Sequence, residues 1–118
     1  MFLMSEVLQE RRILREAYTI LRMLIFNLRA FLDTEDKKYL ERAYSILCYA
    51  SSDPRYVEKM HGFKDLQKNL ESIYSEFKDK GLNLGEEDFS RLSEQVVYTI
   101  VRANIIATGI NFRLKRMK

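Results

Sequence analysis

Residues 13–34 read ILREAYTILRMLIFNLRAFLDT, and the spacing within them decides the fold class. Leu14, Tyr18, Leu21, Ile25, Leu28 and Leu32 follow one another in steps of three and four, the period of one helix face. Ile13, Ile20, Leu24 and Phe31 widen that stripe until the second half of the segment is apolar on most sides. A helix of that character belongs in the centre of a bundle or in a subunit interface.

The same period recurs downstream. Asp33 and Thr34 offer an N-cap, and Glu35 and Asp36 place negative charge on the first turn of a second helix. That helix carries Leu40, Ala43, Tyr44 and Leu47 and ends near Ala50. Ser51-Ser52-Asp53-Pro54 is the clearest punctuation, because Asp53 can cap and Pro54 suits the first helical position. A third helix reads Tyr56, Met60, Phe63, Leu70, Ile73 and Phe77, with Leu66 and Tyr74 beside the stripe and Gly62 expected to kink it. Lys78, Lys80 and Gly81 form a C-terminal stop, and residues 82–85 make the next connection. Glu86, Glu87 and Asp88 suit the start of a last helix carrying Phe89, Leu92, Val96, Ile100, Ala103, Ala107, Ile110 and Leu114.

No segment shows the sustained alternation of a strand. Short connections favour antiparallel neighbours. The predicted fold is therefore all-α: a single-domain, antiparallel (up-down) four-helix bundle over residues 1–118, with 113–118 as a basic C-terminal tail. Dimerisation is the expected means of completing it. AYTIL at 17–21, AYSIL at 43–47 and VYTIV at 97–101 resemble one another, but five-residue matches between apolar helix centres read as chance.

Composition narrows the function classes. At 118 residues the chain fits one domain with one real core, and 47% apolar against 31% charged residues argues against disorder. One cysteine excludes an internal disulfide, and with one histidine it excludes a His/Cys zinc site within a single chain. No glycine-rich phosphate loop is present. Met1 to Glu6 lacks a basic stretch and reaches an acid early, so a secretory signal is not expected. Val96 to Phe112 is the most apolar run, but Arg102, Asn104 and Asn111 interrupt it, so it reads as a core helix.

The net charge of +3 conceals a strong asymmetry. Residues 1–32 balance at +2, residues 33–94 at −4 and residues 95–118 at +5. In an up-down bundle the first helix begins where the last one ends. That gathers Arg11, Arg12, Arg15, Arg113, Lys115, Arg116 and Lys118 into a basic pole, a candidate contact for nucleic acid or an acidic partner. Arg15, Arg22 and Arg29 repeat every seven residues and share a helix face. The bland reading is that Glu6, Glu10 and Glu16 neutralise part of the pole and that cations favour a helix C-terminus.

Catalytic constellations are weak. Glu58 and His61 have the spacing of one bundle di-metal ligand pair, but such sites need two pairs and two more carboxylates. Met60 takes the inward position, which sends Glu58 to solvent. Residues 53–77 fail as a DNA-binding helix-turn-helix, since the position four before Gly62 is Glu58 rather than a small residue. Arg55 and His61 have a separation that resembles the motif of HEPN-class helical RNases. In that class the motif lies on a late helix, whereas Arg102-Ala103-Asn104 here has no histidine after it. Cys48 reads as a buried small hydrophobe. Arg102 either reaches solvent opposite the apolar stripe or pairs with an acid across an interface; the former is preferred because solvated arginine is the norm.

These residues point to a non-enzymatic helical interaction protein, a homodimer or a subunit of a larger assembly, in the cytoplasm. The alternative is a nucleic-acid-binding accessory or regulatory protein using the basic pole. Neither a cofactor, a metal, a small-molecule substrate nor a membrane is expected.

Overall fold

The computed structural model describes residues 4–80 and 85–117. Among them are five α-helices and no strand: α1 (Met4–Thr34), α2 (Lys37–Ser51), α3 (Pro54–Lys59), α4 (Phe63–Lys80) and α5 (Glu86–Arg116). The expected stop at Gly81, the connection over 82–84 and Lys118 lie outside the described residues.

The expected third helix is two. Met60 turns extended at φ −108°, ψ 91°, and Gly62 takes φ +87°, a conformation that glycine adopts without the Cβ penalty of other residues. The Phe63 N–H donates to the Met60 carbonyl at 3.1 Å and restarts the chain as α4. Buried Met60 and Phe63 flank the break, so the apolar period continues through a turn that the helix does not.

The first cap is also displaced from its expected place. Thr34 still belongs to α1, and Glu35 adopts φ +58° with its N–H on the Phe31 carbonyl, an αL end to the helix. Asp36, rather than Asp33 or Thr34, caps α2, its carboxylate accepting from Lys38 N–H at 3.0 Å. The Asp53 and Pro54 reading holds: Asp53 accepts from Arg55 N–H at 2.9 Å and Pro54 opens α3.

The molecule is a rod of 60 × 23 × 20 Å, its length set by α1 and α5, each of 31 residues and thus about 46 Å long. α5 returns along α1: Arg11 reaches Met117 at one end, and Phe31 meets Phe89 at the other. α2 also packs against α1, α4 packs against α5 and α2, and α3 rests on α1 and α2. The core runs along this seam through Leu14, Leu21, Ile25, Leu28, Leu40, Leu47, Leu66, Leu70, Leu92, Val96 and Ile110, all at most 1% exposed. Phe31 closes one end, edge-on to Phe77 with ring centres 5.8 Å apart and 6.2 Å from Phe89. Tyr44 and Tyr74 stack at 4.2 Å with rings nearly parallel and join α2 to α4.

Among the described residues, no helix is long and apolar enough to cross a membrane.

Candidate interaction site

The inner face of α5 is used up by Leu92, Val96, Thr99, Ile100, Ala103, Ile106, Ala107 and Ile110. Other apolar residues of α5 stay exposed. Val97 (49% exposed), Val101 (49%), Ile105 (60%) and Phe112 (60%) form a second stripe on the outer face, with exposed Thr108 completing its helical period. Tyr98, 54% exposed, borders it. The stripe spans about 22 Å of helix. Exposed Glu94 bounds it at one end, and exposed Lys115 and Arg116 bound it at the other.

Arg102 does not interrupt this surface. It turns to α4, where its guanidinium lies 3.7 Å from the Asp65 carboxylate and 5.9 Å from the centre of the Tyr98 ring. The partner acid is in the same chain and the pair lies at the surface, the Arg102 side chain being 38% exposed, which agrees with the preferred expectation of a solvated arginine.

A second exposed apolar surface lies over α1 and α2. It is an open trough of about 1020 Å³ lined by Tyr18, Met23, Phe26 and Ile46 together with the charged Arg22, Lys38, Glu41 and Arg42. It runs on past Thr19 and Ser45 toward Tyr49 and Tyr56. Phe26 is 67% exposed there.

Arg11 lies beside the end of α5, and the structure gives several of the basic residues internal work. Arg11, half-buried, donates to the Met117 carbonyl at 2.5 Å, and Arg113, also half-buried, donates to the Lys59 carbonyl at 2.9 Å. Arg12 pairs with Glu16 at 3.3 Å. Arg15, Lys115 and Arg116 are exposed, Arg116 lying over the Phe112 ring. Arg113, Lys115 and Arg116, assigned by sequence to a tail, form the last turn of α5.

Sequence reading missed the residues that lock this end. Lys59 of α3 pairs with Glu10 at 3.0 Å, and the Tyr56 hydroxyl donates to Glu16 Oε2 at 2.5 Å. The i,i+3 and i,i+4 arithmetic of single helices could not find pairs separated by forty positions or more. The Tyr56 hydrogen bond holds the Glu16 carboxyl below its ordinary range despite some desolvation, with Arg12 and Arg55 acting in the same direction. The carboxylate in turn pushes the Tyr56 hydroxyl well above its usual value.

A depressed folded pKa means that the folded chain prefers the carboxylate, so the stabilisation is complete above about pH 4.3 and is lost as pH falls below it. Tyr56→Phe is expected to cost about 1–2 kcal/mol at pH 7, the charged hydrogen bond being discounted for partial exposure of Glu16. Urea unfolding should show that deficit shrinking toward pH 3. A deficit independent of pH would place the loss in packing instead.

No family model, curated protein or solved structure matches this chain.

The other sequence candidates are dispersed. Glu58 and His61 are exposed, and Met60 between them is buried as expected. Among the described residues, no group of three or more His, Cys, Asp and Glu side chains could hold a metal ion. Arg55 forks onto Asp53 through Nε at 3.1 Å and Nη2 at 2.7 Å in α3, whereas His61 sits in the turn beyond it. Cys48 is exposed rather than buried. α2 buries the line Leu40, Ala43, Leu47 and Ala50, and Cys48 projects about 100° around the helix from Leu47.

Proposed function

We propose that this chain is a non-enzymatic helical interaction protein that works as a homodimer, with the outer face of α5 as its self-association surface. The observation that carries the reading is the uncharged apolar stripe from Val97 to Phe112, which stays exposed among the described residues. An apolar surface of this extent, rimmed by charge, is characteristic of an association site. The fold beneath it is read as an up-down four-helix bundle of α1, α2, α4 and α5, with α3 as a corner in the second connection. The trough over α1 and α2 supplies a separate surface through which the dimer would join a larger assembly. A cytoplasmic setting, which keeps the exposed Cys48 reduced, suits the proposal.

The nucleic-acid alternative draws less support. Arg11 and Arg113 are committed to backbone carbonyls and Arg12 to Glu16, which leaves Arg15, Lys115 and Arg116 as the outward cations of the described pole.

Sedimentation velocity from about 1 to 100 μM, the range of moderate protein affinities, tests the main reading. The expected species has twice the 14.1 kDa chain mass. A single 14.1 kDa species throughout would overturn it.

A further inference from the structure

We propose that the second copy docks antiparallel, outer face of α5 on outer face of α5, about a two-fold axis beside Ile105. This inference rests on the self-association reading above and adds its geometry. In a two-fold interface each surface meets its own reverse, so a residue k positions before the axis faces the one k positions after it. Four matches follow when Ile105 is the centre. Ile105 faces its own copy. Val101 faces Gly109, four residues to either side. Tyr98 faces Phe112 at seven, and Glu94 faces Arg116 at eleven.

Charge decides the direction. The stripe is acidic at Glu94 and basic at Lys115 and Arg116, and it holds no outward charge between them. Antiparallel packing brings each Glu94 to the partner's cations, whereas parallel packing sets like charge on like at both ends. Shape agrees. Gly109 lies inside a regular helix, where glycine costs about 1 kcal/mol relative to alanine. A Cβ built there meets nothing within 4 Å, so none of the described residues requires its absence. Opposite Val101 of a second copy, the missing side chain lets two helices approach closely.

Area is adequate. The five exposed apolar side chains offer roughly 500 Å² per protomer, against about 800 Å² per partner in a standard interface. Exposed Thr108, Gly109, Glu94, Lys115 and Arg116 border them and add to the contact.

Cysteine cross-linking in the Cys48→Ser full-length chain tests the geometry. On mild oxidation, Ile105→Cys is expected to give a reducible covalent dimer, because a residue beside the axis meets its own copy within disulfide reach. Glu94→Cys alone should stay unlinked, whereas an equimolar mixture of Glu94→Cys and Arg116→Cys should link. Circular dichroism checks that each variant keeps its helices. If Cys48→Ser sediments as a dimer but Glu94→Cys links to itself, or Ile105→Cys does not link, the antiparallel arrangement is wrong and self-association stands. If Cys48→Ser and the unsubstituted chain are both monomeric throughout, both readings fall.

Discussion

Phe31→Ala is expected to lower the unfolding free energy by about 3–5 kcal/mol, the range for removing a fully buried aromatic side chain. Phe31 is 0% exposed, and its ring joins the end of α1 to Phe77 of α4 and Phe89 of α5. Truncation therefore opens a void where three helices converge, and it removes two aromatic contacts together with the buried surface. The penalty is large against the 5–15 kcal/mol that holds a typical domain. Urea or thermal unfolding followed by circular dichroism gives the value. A loss below about 1 kcal/mol would mean that the end of the rod collapses around the gap, contrary to the close packing expected of this cluster.

The other large effect concerns association rather than folding. Ile105→Glu is expected to weaken the proposed dimer by about 100-fold or more, which corresponds to roughly 2.7 kcal/mol. The substitution removes apolar area from both copies and sets two carboxylates against each other beside the symmetry axis. The isolated chain should change little, because Ile105 is 60% exposed and glutamate favours a helix at least as well as isoleucine does. Sedimentation should show the lighter species at concentrations where the unsubstituted chain is paired, with helix content unaltered. Retention of the dimer would move the contact to another face.

The apolar period made most of the fold legible. The inward lines of α1 and α5 match the expected stripes, with Tyr18, Leu32, Phe89 and Leu114 half-buried at their margins. Gly62 marked the place of the break, but not that the helix ends there, because Met60 and Phe63 stand three apart, a spacing equally at home in a continuous helix. The cap of α2 was misplaced because Asp33, Thr34 and Asp36 all carry capping oxygens; the αL turn at Glu35 selects among them. For the candidate site, the excess of apolar residues over 96–112 was visible in the sequence. Its division into an inner and an outer stripe needed the positions of α1 and α4. A convergence of charge was expected from the sequence, but the carbonyls that take up Arg11 and Arg113 belong to the ends of α5 and α3. Side-chain identities carry no record of such backbone acceptors.

The seam between α1 and α5 joins residues as far apart as Arg11 and Met117, and this separation governs synthesis. About 80 residues separate the end of α1 at Thr34 from the end of α5 at Arg116, so translation at about 5–20 residues per second leaves α1 waiting several seconds for its main partner. α2 can shield one side of α1 during that interval, but the side that receives α5 stays open. The chain most exposed to misassociation is thus the unfinished one, and a slow ribosome lengthens its exposure.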